Sequence, residues 1–300
     1  LVSGTPQFTG LLELLGQGEQ SAAKVLQGLV FDDVEATILL SGGCEVLHIS
    51  GDVNITDSEV NGIFSFAEFN FSAPAFCPGP QTNSIVSDAK YHIFGSQVLV
   101  DVEAFEVDTS QNCVLLNFTL GTEITTRGAS FVHLNAMYNA TTIMEVYGVI
   151  LEAAALANED LVTIEVEIIA PQAHGFRIQH SKLSNFSIIS STTYSDTPVP
   201  LFGQQITDSS LYNCVVQANI QSIDTVDITD VYGIYILSNG TMVGCSVEAN
   251  VVGNLQSTTA VFIRRLSSSR DSTFIGNLEG TIINSTGVEV EEMSAMYGLI

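Results

Sequence analysis

Basic residues are nearly missing from this chain: 8 Lys+Arg stand against 33 Asp+Glu in 300 residues, a formal net charge of −25. Only 14% of residues are charged, so the imbalance comes from absent bases rather than abundant acids. Three lysines (Lys24, Lys90, Lys182) and five arginines cannot line a phosphate-binding groove, which excludes a nucleic-acid partner. The same shortage excludes attraction to anionic lipid. No run of eighteen apolar residues occurs, so no membrane-spanning helix is expected. The five cysteines (Cys44, Cys77, Cys113, Cys214, Cys245) form no CxxC pair and no Cys/His cluster at zinc spacing, which disfavours a structural zinc site. Gly-x-Ser-x-Gly, Gly-x-x-x-x-Gly-Lys-Ser/Thr and His-Glu-x-x-His are all absent. The histidines (His48, His92, His133, His174, His180) are scattered. No catalytic residue and no cofactor site is legible.

What is present points to a folded, β-rich chain. Hydrophobic residues make up 46%, too many for a disordered acidic tail. The length suffices for one large core or two ordinary domains. Seven Asn-x-Ser/Thr sequons occur, at Asn54, Asn70, Asn117, Asn139, Asn185, Asn239 and Asn284. Chance would give roughly three. The excess has two readings: glycans on a secreted protein, or turns crowded with Asn, Ser and Thr. The first residue is Leu1 and no charged n-region with an apolar h-region follows, as expected where a signal was removed or the segment is trimmed.

A repeat organises most of the chain. An aromatic or histidine precedes glycine at Phe94-Gly95, Tyr147-Gly148, His174-Gly175, Phe202-Gly203, Tyr232-Gly233 and Tyr297-Gly298, with successive glycines 53, 27, 28, 30 and 65 residues apart. Leu183-Ser-Asn-Phe-Ser-Ile-Ile matches Leu211-Tyr-Asn-Cys-Val-Val at an offset of 28. Cys214-Val-Val-Gln-Ala-Asn-Ile matches Cys245-Ser-Val-Glu-Ala-Asn-Val at an offset of 31. Segments such as Val162-Thr-Ile-Glu-Val-Glu-Ile alternate apolar with polar, the signature of a half-buried strand. Three such strands per unit, joined by polar corners, describe one coil of a parallel β-solenoid, whose coils must stack to bury their inward side chains. A β-sandwich would explain the alternation but not the constant offset.

On these features the chain resembles the right-handed parallel β-helix superfamily typified by pectate lyases, phage tailspikes and bacterial surface adhesins, over roughly residues 34–300. The resemblance is architectural and rests on coil length and alternation. It implies an all-β right-handed parallel β-helix of about nine coils. The repeat glycines would sit at corners that require positive φ or close backbone approach. The preceding rings would stack from coil to coil. Cys214 and Cys245 would lie one above the other, as a disulfide or as a reduced ladder.

Two stretches interrupt the repeat: Cys77-Pro-Gly-Pro-Gln-Thr-Asn83 reads as a loop and Ser190–Pro200 as a polar insertion. Residues 1–30 read as a separate helical cap or assembly arm before a solenoid domain at 31–300. Thr9 would cap a helix carrying Leu11, Leu12, Leu14 and Leu15, and Ser21 a second carrying Ala22, Val25 and Leu26. Met296-Tyr-Gly-Leu-Ile300 reads as the opening of a further coil, so the expectation is either a fragment of a longer solenoid or an edge that something covers, as head-to-tail self-association would.

Acidic residues gather ahead of the repeat glycines, notably Asp224, Asp227, Asp230, Glu289, Glu291 and Glu292. If they share one outward face, repulsion would be relieved by a bridging divalent ion, which makes them calcium candidates, or by solvent and salt. Lyases on this fold need basic groups near the substrate carboxylate, yet only Arg264, Arg265 and Arg270 cluster. The pectinase-type elements are matched only by His174-Gly175 and Arg177-Ile178-Gln179, in the wrong places and without the lysine, with Asp32-Asp33 far away. The expectation is a non-enzymatic extracellular structural or adhesive solenoid on a surface filament or fibre, contacting itself or a glycan-bearing cell surface. The alternative is a carbohydrate-active enzyme, a polysaccharide lyase or glycoside hydrolase, on the same scaffold.

Overall fold

The computed structural model describes residues 9–15, 24–27, 29–32, 35–41, 47–56, 58–66, 81–87, 89–105, 112–118, 123–128, 130–139, 146–152, 155–170, 173–194, 202–222, 227–237, 239–291 and 296–297. Alternating apolar residues have become strands throughout, and the strands pair in parallel with the next turn of the chain. The fold is a parallel β-solenoid. Its first face is a ten-stranded sheet that takes one strand from each turn, from Lys24–Gln27 to Thr286–Glu291. The expected nine coils therefore fall short of the observed rungs. The other two faces form one 19-stranded network. A short face carries strands such as Lys90–Phe94, Ser210–Tyr212 and Thr241–Val243. A long face carries Phe131–Asn139, Val215–Ser222, Ser246–Gln256 and Thr273–Ile283. Ala155–Ala170 and Lys182–Tyr194 run through the corner and belong to both.

Corners are made by left-handed residues stacked in columns. Gly95, Gly128, Asn185, Asn213, Gly244 and Asp271 turn the chain from the short to the long face, with φ between 45° and 75° as αL geometry requires. Asp230, Ser257 and Asn284 do the same between the long and first faces. The N–H groups of Gly95, Asn213, Gly244, Asp230 and Ser257 donate to the turn above, as in Asn213 to the Val243 carbonyl (2.8 Å) and Ser257 to the Ile283 carbonyl (3.0 Å). The change of direction thus keeps these main-chain donors paired.

The repeat glycines have a different cause. Gly148, Gly175, Gly203 and Gly233 lie inside first-face strands without positive φ. A Cβ on Gly175 would stand 2.3 Å from the Ser190 Cβ and 2.6 Å from the Gly203 carbonyl oxygen; on Gly233 it would meet the Ala249 Cβ at 2.8 Å. Here two facing columns of small residues press the first and long faces together, so close approach and not corner geometry demands glycine. Phe94-Gly95 belongs to another column, since Gly95 is a corner with φ 56°. Tyr297 pairs with Arg270 on the short face. These two misfits are what produced the anomalous spacings of 53 and 65.

On either side of this pinch the interior is filled by fully buried aliphatic columns, including Ile164–Ile188–Val216–Val247 and Ile178–Ile206–Ile236–Ile263. Ser190 and Thr192 are buried too, and Tyr194 is fully enclosed with its hydroxyl donating to the Ala173 carbonyl (3.2 Å). The insertion expected from Ser190 therefore begins later: Lys182–Tyr194 is strand, and 195–200 lie outside the described residues. The polarity of Ser190 reflects the small side chain that Gly175 requires opposite it. Likewise Gln81–Asn83, expected in a loop, open the strand Gln81–Ser87, while 77–80 lie outside the described residues.

The helical cap is also corrected. Thr9–Leu15 is a strand in register with Glu35–Ser41, and Lys24–Gln27 pairs with the strand Leu47–Ser50. The boundary at residue 30 falls inside the short-face strand Val30–Asp32. Seven residues are too few to hold a helix unaided, and the adjacent turn offers an open hydrogen-bonding edge instead.

Candidate functional site

The long face presents the most regular outward chemistry. Its columns run across successive turns: Glu167–Ser191–Asn219–Asn250–Asn277, Thr163–Ser187–Val215–Ser246–Thr273 and Ile169–Thr193–Gln221–Val252–Glu279. Asn250 Nδ2 donates to Asn219 Oδ1 (3.0 Å), and Asn277 Nδ2 donates to Asn250 Oδ1 (2.7 Å). Gln221 Nε2 donates to Thr193 Oγ1 (2.9 Å). Asn250 Nδ2 donates to Glu248 Oε1 as well (3.3 Å), so the amides of the column are held by their neighbours at the rung spacing of ~4.8 Å. The sequence carried the signal, because Gln-Ala-Asn-Ile and Glu-Ala-Asn-Val already align at an offset of 31. Missing from the sequence reading was that Asn at that position points out while Ala points in.

The outer side of the first face carries the aromatics. His174 and Phe202 stack at 6.0 Å and Phe202 and Tyr232 at 5.5 Å, as expected of the repeat rings. A second column adds Tyr235 and Phe262, stacked at 5.2 Å. Tyr232 closes the cluster with edge contacts to both. Burial, then the Tyr235 phenol and the Glu289, Asp230 and Glu291 carboxylates, raise the Tyr232 pKa above its ordinary value. His174 is buried and its Nδ1 accepts from the Phe202 N–H (3.4 Å), so this histidine is a stacking element.

Asp227 lies in Asp227–Thr229, Asp230 is a corner with φ 55°, and Glu289 and Glu291 occupy the first-face strand Thr286–Glu291. Asp224 and Glu292 lie outside the described residues. Among the described residues no group of three or more His, Cys, Asp or Glu side chains is arranged to hold a metal ion. Several cations are engaged in ion pairs: Lys90 with Glu123 (3.2 Å), Arg127 with Glu159 (3.5 Å), Arg264 with Glu291 (3.4 Å) and Arg270 with Asp271 (3.2 Å). Arg265 lines a cavity of about 130 Å³ with Thr207, Asp208, Leu237 and Asn239.

The sequons divide by position. Asn185 (φ 54°) and Asn284 (φ 49°) are corner residues, where Asn is favoured for its tolerance of αL. Asn185 Nδ2 donates to the Asn158 carbonyl (2.6 Å). Asn239 is exposed and donates to Asp208 Oδ1 (3.2 Å). Asn54 is half-buried in a short-face strand, Asn117 lies in Asn112–Phe118, and Asn139 ends Phe131–Asn139. Asn70 lies outside the described residues. Turn chemistry thus accounts for two sequons outright.

Cys214 and Cys245 are free, buried and stacked on adjacent turns, with Ser246 N–H donating to the Cys214 carbonyl (2.9 Å).

No family model and no curated protein matches the chain. A solved structure, bacteriophage CBA120 tailspike protein 3, is similar at 9% identity with a TM-score of 0.15, over 88% of this chain and 56% of that one. A likeness this faint carries no argument about this chain's role.

Proposed function

We propose that this chain is an extracellular structural or adhesive β-solenoid whose long face contacts neutral glycan. The observation that carries this reading is the in-register amide column Asn219–Asn250–Asn277, flanked by hydroxyl and amide side chains on the same flat face. Sugars are recognised by fixed arrays of hydrogen-bonding groups that need no rearrangement on binding, and amides locked by their neighbours meet that need. The charge of −25 favours neutral glycans over polyuronates, which it would repel. The test is binding of the intact protein to an array of neutral oligosaccharides, alongside Asn250→Ala. Expected is binding that weakens about tenfold in the variant, the loss of one well-made polar contact, with an unchanged melting temperature and glycans recovered at full length. Shortened glycans would instead favour the enzymatic reading. Absence of binding across the array would overturn the proposal.

A further inference from the structure

Polar or thiol side chains stand beside several short-to-long corners. Ser58, Ser96 and Ser130 form one buried column, and Cys214, Cys245 and Ser272 form another, in line with Phe186 and Val162. A serine such as Ser96 or Ser272 does two things. Its oxygen accepts the main-chain N–H of the turn before, as Ser96 Oγ does from Ser58 (3.0 Å) and Ser272 Oγ does from Cys245 (3.1 Å). Its hydroxyl donates two residues back, as in Ser96 to the Phe94 carbonyl (2.7 Å) and Ser272 to the Arg270 carbonyl (3.1 Å). The two cysteines reproduce the second bond with sulfur: Cys214 Sγ donates to the Tyr212 carbonyl (3.3 Å) and Cys245 Sγ to the Val243 carbonyl (3.4 Å). Serine would fit this slot at both positions. Two thiols stand on consecutive turns, with the hydroxyl of Ser272 in the same place on the next.

Neighbouring positions in a parallel sheet are ~4.8 Å apart, inside the 4.4–6.8 Å window between Cα atoms that a disulfide needs. The side chains leave the backbone in the same direction, because both obey the same corner geometry. We propose that Cys214 and Cys245 are a redox couple that closes into a disulfide between adjacent turns.

Each sulfur reaches a carbonyl of its own turn and one of the turn before, Cys214 Sγ donating toward Tyr212 and Leu183 and Cys245 Sγ toward Val243 and Leu211, so the two side chains are held alike. A thiolate beside a thiol is the arrangement from which a disulfide forms. At 1% and 2% exposure the pair is closed to bulky reagents, so a small peroxide is the fitting oxidant. The thiolate of one cysteine attacks one peroxide oxygen, which breaks the O–O bond and leaves a sulfenic acid, while the departing hydroxide takes a proton to become water. The sulfur of the other then attacks the sulfenic sulfur, forming the S–S bond and releasing a second water as the thiol proton leaves. Two thiols and one hydrogen peroxide give one disulfide and two waters.

The sequence makes the test direct. No Lys or Arg lies between Lys182 and Arg264, so trypsin releases both cysteines, and no others, in one peptide, and Met242 lies between them. The full chain is treated with hydrogen peroxide, blocked with a maleimide in denaturant, digested with trypsin and cleaved at methionine with cyanogen bromide. Expected is a 183–264 peptide lighter by two hydrogens and unlabelled, whose halves separate only after reduction. In Cys214→Ser and in Cys245→Ser the remaining cysteine has no partner thiol, so no disulfide should form and oxidation should stop at the sulfenic acid. Both variants supply the hydroxyl that Ser272 places on the next turn and should fold. Maleimide on both cysteines after peroxide would overturn the couple.

Discussion

At the residue scale the solenoid depends on positions where a single atom decides. Gly175 is one, and Gly175→Ala is expected to destabilise the fold by ~1–3 kcal/mol, the usual cost of overpacking. Reduced freedom of the unfolded chain would return about 0.4–1 kcal/mol, less than the penalty of a Cβ 2.3 Å from that of Ser190. The molecule already contains the compensated pair: Ala260 occupies the same column, and the residue facing it is Gly276. Adding Ser190→Gly to Gly175→Ala should therefore recover part of the loss. Urea midpoints of wild type, single and double variants measure both effects. A single variant as stable as wild type would sink the close-approach account.

At the scale of the element, strands were legible wherever alternation ran uninterrupted. The pairing of Leu183 with Leu211, and of Val216 with Val247, is the register that the 28- and 31-residue offsets imply. Strands were missed where an inward position had to be polar. Ser190 read as loop because nothing in composition says that Gly175, on the facing sheet, leaves no room there for valine. Thr9–Leu15 read as helix because a short leucine-rich run fits either period, and only the neighbouring strand decides. The amide column was visible as a repeat but not as a surface. The corner ladder yields its own prediction. Ser96→Ala strands the Ser58 N–H and frees the Phe94 carbonyl, at a cost of ~1–3 kcal/mol, whereas Ser96→Cys should cost clearly less, since sulfur already serves at 214 and 245. Thermal unfolding of the two variants side by side decides it; equal losses would mean that the ladder bonds are not what the position supplies.

At the scale of the whole molecule, each turn touches its immediate neighbours, so stability is the sum of similar interfaces and not the property of one centre. The scarcity of cations fits this plan. The pairs Lys90–Glu123 and Arg264–Glu291 link successive turns.

The column of corners also makes the molecule a mechanical object. Equivalent positions on consecutive turns are 23 to 38 residues apart, and each turn is stitched to the next along three faces. A tether pulling the two ends apart loads the outermost turn first and the others hardly at all. Extension should then advance in steps as turns peel away, each releasing about 75–140 Å of contour length at 3.3–3.6 Å per residue. A closed Cys214–Cys245 bridge would shorten the step at that place and no other.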